Sequence, residues 1–219
     1  SAPIPRASPR TTAMPADPNV DIAVFARAPI AGQAKTRLIP RLGAVGAARL
    51  QRQLLERALA RAQSVRGARV TLWTTADDAD ARALAEAARA TVRLQQGHDL
   101  GERMSNAFAE TLDGARPMLL IGTDCPAQTA ADLETAIAVL READAVIQPA
   151  EDGGYVLIGM KRFHPALFEQ VAWGSATVLA TTRARAADRC IRLAELPMSW
   201  DLDRSEDLDR ALALGLVDL

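Results

Sequence analysis

The chain has 219 residues, 49% hydrophobic and 24% charged, with 26 Lys and Arg against 27 Asp and Glu for a net charge of -1. This is the composition of a globular protein with a real core, of a size for one α/β domain or two small ones. It supplies no basic field for nucleic acid or an anionic membrane, and no apolar run approaches the roughly 20 residues of a membrane span. Two cysteines, Cys125 and Cys190, lack metal-type spacing, which argues against a zinc ribbon or disulfide framework and for a cytoplasmic protein with free thiols. The two histidines, His98 and His164, are too few for a histidine-rich metal site.

Residues 1–20 are rich in Pro, Ala, Ser and Thr, without hydrophobic periodicity and without the apolar stretch of a signal peptide; they read as a disordered leader. Residues 21–219 read as a single domain. It opens with an apolar strand over 21–26, which Pro29 and Gly32 break into a loop carrying Arg27, Lys35 and Arg37. The Lys35-Thr36 pair resembles part of a P-loop, but Ala34 and Pro29 stand where that motif needs glycines. What remains is a flexible first loop with three cations among backbone donors, suited to phosphate; a solvated basic loop is the plain alternative, and the better one for Arg27 taken alone.

Leu50, Leu54, Leu55, Ala58, Leu59 and Ala62 recur at helical spacing, predicting a core-facing helix from about 43 to 65. A strand over 69–74, an Ala-rich helix over 78–90 and a short strand over 92–95 follow. Gly97 and Gly101 bracket a charged loop that also holds His98, Asp99, Glu102 and Arg103, ahead of a helix bearing Phe108 and Leu112. This reads either as a ligand-contact loop or as a helix start with Glu102 favourable at the positive dipole end.

Met118-Leu119-Leu120-Ile121 is an apolar run of the kind buried on both faces of a parallel sheet. Asp124 follows it, where open α/β sheets hold their ligands beyond the strand ends; a turn-capping role is the alternative. Thr129 and Asp132 resemble a capping box before a helix containing Leu133, Ile137 and Leu140. Strands over 145–149 and 156–160 flank Glu151-Asp152-Gly153-Gly154-Tyr155, a hairpin-type turn. Turn geometry accounts for Gly153 and Gly154 but not for the two acids. A short apolar helix over 163–168, a loop with Trp173 (a stacking or a core residue), a helix over 176–188 and a strand over 191–196 complete the sheet. Before the last helix, Ser205 or Asp203 suits a cap, whereas Asp201 lies too early for one. Alternating strands and helices predict a three-layer α/β/α sandwich with a mainly parallel sheet.

Phe25-Ala26-Arg27-Ala28-Pro29, Lys35-Thr36-Arg37-Leu38, Asp99-Leu100-Gly101-Glu102-Arg103-Met104, Gly122-Thr123-Asp124-Cys125-Pro126, Glu151-Asp152-Gly153-Gly154-Tyr155 and Asp201-Leu202-Asp203 with Glu206-Asp207-Leu208 occur in this order. Together they resemble the small bacterial glycosyltransferase-A-like proteins, some linked to arsenosugar biosynthesis, over about residues 21–212. More distantly, the chain is similar to phospholactate guanylyltransferase and the molybdenum-cofactor nucleotidyltransferases. The resemblance implies the Rossmann-like nucleotide-diphospho-sugar transferase fold, a nucleotide site over the first loop and a divalent metal, Mg²⁺ or Mn²⁺, near Asp124, with Asp203 matching a second metal ligand. Gly122 stands where many glycosyltransferases carry the first acid of an Asp-x-Asp pair.

These readings give a metal-dependent transferase, moving a glycosyl group from a nucleotide-sugar to a small acceptor. The alternatives are a nucleotidyltransferase using a nucleoside triphosphate and a non-catalytic nucleotide-binding module. The expected site has Asp124 and Asp152 as catalytic groups and Asp124 and Asp203 on metal. Arg27, Gly32, Lys35, Arg37, Gly101 and Arg103 would contact the nucleotide, and Gly153, Gly154, Tyr155, Trp173 and Asp201 the acceptor.

Overall fold

The computed structural model describes residues 19–112 and 114–219; the leader reading over 1–18 falls outside them. The first strand, β1 (Val20–Ala26), is buried at every position and starts one residue before the expected 21. After a 3₁₀ turn at Thr36–Leu38 comes α1 (Ile39–Ser64), which begins ahead of the expected 43 but breaks its helical dihedrals at Gly43. Then follow β2 (Ala68–Thr74), α2 (Ala79–Ala87), β3 (Thr91–Leu94), α3 (Leu100–Thr111), β4 (Met118–Gly122), α4 (Ala130–Val139), β5 (Ala145–Pro149), β6 (Tyr155–Met160), α5 (Val178–Asp188), β7 (Leu193–Glu195) and α6 (Ser205–Ala213).

Seven strands form one sheet in the order β3-β2-β1-β4-β6-β5-β7. β6 runs antiparallel to both neighbours, β4 and β5, while the other pairings are parallel. The tight turn over residues 150–154 explains this reversal: a two-strand hairpin needs no crossover helix. From β1 the chain works outward through β2 and β3, then crosses to β4 on the other side of β1. That reversal of strand order is the point where open α/β sheets open a crevice.

Alternation along the strands sends side chains to two faces. One face packs Ile22, Val24, Leu72, Leu119 and Ile121 against Leu55, Leu59, Leu84 and Leu133 of α1, α2 and α4. The other packs Phe25, Leu120, Ile147 and Ile158 against Met104, Phe108 and Leu179 of α3 and α5. Helices on both faces make the expected three-layer sandwich. A smaller cluster of Leu38, Leu50, Leu54, Trp200, Leu202 and Leu208 clamps α6 and the segment before it onto α1. Among the described residues no helix is long and apolar enough to cross a membrane, and both cysteines are free thiols.

Two local readings are corrected. The predicted 163–168 helix reduces to a 3₁₀ turn at Pro165–Leu167. Neither Ser205 nor Asp203 caps α6; Asp207 accepts the backbone N–H of Asp203 at 3.0 Å and of Arg204 at 2.7 Å. Capping from inside the helix leaves the Asp203 carboxylate for other partners.

Candidate active site

At the carboxyl ends of β1 and β4, where Phe25 pairs with Gly122, a cavity of about 470 Å³ opens. Arg27, Arg103, Asp124, Asp152, Gly154, Tyr155, Trp173 and Asp201 line it. The chain thus brings together residues spread over 175 positions, and this volume lies in the range that holds a small ligand.

Behind the lining, and not itself part of it, lies Lys35. Its backbone is left-handed (φ 46°, ψ 45°), an uncommon conformation for a residue with a side chain. The ammonium is buried, donates to the Leu202 carbonyl, and lies 2.9 Å from Asp124 Oδ1 and 3.9 Å from Asp203 Oδ1. Asp203 Oδ2 is held at 2.5 Å by the exposed Arg37. Both cations expected to meet phosphate are therefore engaged by carboxylates, and an incoming phosphate would have to share or displace those pairs. Thr123 donates to Asp124 Oδ1 at 3.0 Å and accepts at 3.2 Å from the buried Gln51 amide, which also reaches the Arg27 carbonyl at 3.2 Å. Gln51 so fixes the loops after β1 and β4 to one another.

Four carboxylates gather here. Burial first, then the charges of Asp152, Asp203 and Asp124, push the Asp201 carboxyl up to about 6. Asp201 lines the cavity, whereas Asp203 sits behind it with Lys35 and Arg37. Asp152 Oδ1 accepts the Gly154 N–H at 2.8 Å, which holds it at the turn tip. Its neighbour Glu151 instead pairs with Arg210 of α6 at 2.9 Å and does not line the cavity.

Of the two readings for 99–103, the helix start is the one that forms. Asp99 Oδ1 accepts the Glu102 N–H and Glu102 accepts the His98 N–H, each at 2.8 Å, so α3 begins at Leu100. Gly101 is consequently helical; a Cβ there would come within 2.0 Å of the Trp173 indole nitrogen, so Gly101 seats Trp173 and is not itself a cavity-lining residue. Trp173 stacks on Phe168 and meets Tyr155 edge-on, with centroids 6.3 Å apart in both cases. Burial pushes the Tyr155 hydroxyl up. Arg103 donates to the Gly97 carbonyl at 3.1 Å while lining the cavity. Gly153 serves the turn: its φ is +88° and a Cβ would lie 2.2 Å from the Ala176 carbonyl oxygen. Gly32 lies in the first loop away from the cavity lining.

Residues that sequence reasoning passed over complete the walls. Gln95 donates to the carbonyls of Ala26 and Trp73 at 3.2 and 2.9 Å, Thr75 accepts from Ala28 N–H at 3.2 Å, and Ser175 and Cys125 also line the space. The Cys125 thiol, raised chiefly by burial, lies 3.1 Å from Ser199 Oγ.

Among the described residues no three His, Cys, Asp or Glu side chains converge closely enough to cage a metal alone. The donors nevertheless fit one: they are hard carboxylate oxygens carrying like-charge crowding at Asp201, and Mg²⁺-type sites use one or two carboxylates and complete their shell with substrate phosphates.

A seven-stranded sheet with β6 reversed and a cavity at the β1–β4 switch defines a nucleotide-diphospho-sugar transferase-like fold. The chain is 32% identical to a protein from Desulfovibrio desulfuricans G20 provisionally named a nucleotide-diphospho-sugar transferase, with a TM-score of 0.81 over 89% of this chain and 86% of that one. It belongs to the family described as uncharacterized protein conserved in bacteria (DUF2064), which it matches over residues 58–175. Two more distant structures share the fold. These are 4-diphosphocytidyl-2C-methyl-D-erythritol synthase from Anaerococcus prevotii (15% identity, TM-score 0.61, 90% of this chain and 96% of that one) and glucosyl-3-phosphoglycerate synthase from Mycobacterium tuberculosis (10%, 0.56, 90% and 77%). The latter was solved with Mn²⁺, UDP and glucosyl-3-phosphoglycerate. No curated protein matches the chain.

Proposed function

We propose that the chain is a transferase that binds a nucleotide-sugar in the β1–β4 cavity and moves its glycosyl group to a small-molecule acceptor. The observation that carries this reading is the gathering of Asp124, Asp152, Asp201 and Asp203 with Lys35 and Arg37 at the strand ends. Such a mixture of fixed charges suits a substrate whose bond breaks with charge developing on a diphosphate.

Asp124 is the principal residue to hold a divalent cation, with Asp203 second and Asp201 the further carboxylate facing the cavity. Bound there, Mg²⁺ or Mn²⁺ would supply Lewis-acid neutralisation of the departing diphosphate. Lys35 and Arg37 orient the phosphates, with Arg27 and Arg103 adding positive charge on the cavity wall. Asp152, fixed at the turn tip by the Gly154 N–H, faces the acceptor side and is the group placed to take a proton from an acceptor hydroxyl. Tyr155 and Trp173 close that side with apolar surface, excluding water from the reacting bond. The D. desulfuricans relative and the UDP- and Mn²⁺-bound M. tuberculosis structure support the substrate class.

The test is a thermal-shift panel of nucleotide-sugars and nucleoside triphosphates, each with and without Mg²⁺ or Mn²⁺, followed by product analysis. Metal-dependent stabilisation by a nucleotide-sugar, with release of nucleoside diphosphate, is expected. Stabilisation by a triphosphate with release of pyrophosphate would replace this reading by nucleotidyl transfer. Stabilisation by no nucleotide would remove the site.

A further inference from the structure

A second cavity, about 650 Å³, opens at the other end of the sheet. β4 starts beside it and ends at the first cavity, and β6 runs the opposite way between them. Its described lining includes Arg116, Lys161, Arg162, Arg192 and His164 against one acid, Asp144.

Carboxylates pair with two of these cations. Arg192 takes both Asp144 oxygens at 3.0 Å each and holds its carboxyl well below the usual carboxylate range. Arg116 Nε lies 3.3 Å from the buried Asp21, which Arg69 also meets. Lys161 has a carbonyl neighbour, Arg141 O, at 3.4 Å, and exposed Arg162 forms no ion pair among the described residues. His164, at the start of the 3₁₀ turn, lines the same wall. Arg192 and Arg116 thus have carboxylate partners, and Lys161 and Arg162 are the cations of this lining without an ion pair among the described residues, so an anion bound between them would relieve their repulsion. A guanidinium fork beside an ammonium is the pairing that binds phosphate, the first by two parallel hydrogen bonds and the second as a point charge.

We propose that this second cavity binds a small phosphorylated molecule through Lys161, Arg162 and His164, independently of the β1–β4 site. The cations line one cavity in a chain without a net basic charge, which favours a compact ligand over a nucleic acid backbone.

The probe is inorganic pyrophosphate, titrated calorimetrically into the full chain in metal-free buffer. Wild type should bind at one site, because the β1–β4 cavity needs its metal to hold a diphosphate. Lys161→Gln combined with Arg162→Gln should lose at least tenfold in affinity; Lys35→Ala should keep it. Both substituted side chains are at the surface, so the melting temperature without ligand should be unchanged. Arg162→Gln alone should show part of the same loss. Unchanged pyrophosphate binding in the double variant, or loss of all binding in Lys35→Ala, would overturn the proposal. So would duplex DNA that displaces pyrophosphate from wild type but not from the double variant.

Discussion

Asp201 should weaken the free protein. Burial and three neighbouring carboxylates lift its carboxyl from 3.8 to about 6, so between those values the folded chain holds a proton that the unfolded chain has released. The stability this group contributes is fully present below about pH 4 and is lost as pH rises through 6. About two units at ~1.4 kcal/mol each would be roughly 3 kcal/mol, which partial exposure to solvent reduces to about 1–2 kcal/mol. Asp201→Asn removes the charge while keeping the shape. At pH 8 with EDTA it should raise stability by that ~1–2 kcal/mol, or the melting temperature by roughly 2–8 °C for a chain of this size, while at pH 4 it should change little. Urea denaturation of both proteins at the two pH values measures this directly. No gain at pH 8, or an equal gain at pH 4, would mean that the carboxylates are not crowded as described.

Three other outcomes follow from the same geometry. Asp124→Asn should abolish metal-dependent nucleotide binding while the chain stays folded, read as a native circular dichroism spectrum without a ligand-induced melting shift; retained binding with full metal dependence would remove Asp124 from the site. Gly101→Ala should push Trp173 off α3 at a cost of about 1–3 kcal/mol, seen as a tryptophan emission change and a lower denaturation midpoint, because its Cβ would fall 2.0 Å from the indole nitrogen. Gln51→Leu should leave the Arg27 carbonyl and Thr123 without their shared donor, costing about 1–3 kcal/mol in denaturation experiments and weakening nucleotide binding by loosening both loops.

Much of the scaffold was legible because local chemistry repeats. The buried run at 118–121, the Leu stripe of α1 and the Thr129–Asp132 capping box each carry their signal within a few residues, and each formed as read. Glu102 carried a helix-start signal too, but the glycines around it equally allowed a ligand-contact loop, and only the fold chooses the helix start. The contacts of the site were not legible because they are not local. Nothing near Lys35 indicates that its ammonium meets Asp124 and Leu202, and Gln51 looks like one more polar residue of a helix until α1 turns it inward. Asp203 could be placed near the site by resemblance, but only the fold shows it set behind Asp201 and held by Arg37.

The Lys35 contacts also set an order of assembly. The ammonium donates to a carbonyl 167 residues further along the chain, and its second carboxylate follows one residue later. Strands β1 to β6 can pair before the last twenty residues exist, but Lys35 then lacks its carbonyl and its second carboxylate. Before the C-terminal segment docks on α1, the first loop is held by Asp124 and by Gln51. A chain cut before Leu202 would keep most of its sheet and lose the carbonyl and the carboxylate that meet the Lys35 ammonium from the C-terminal side.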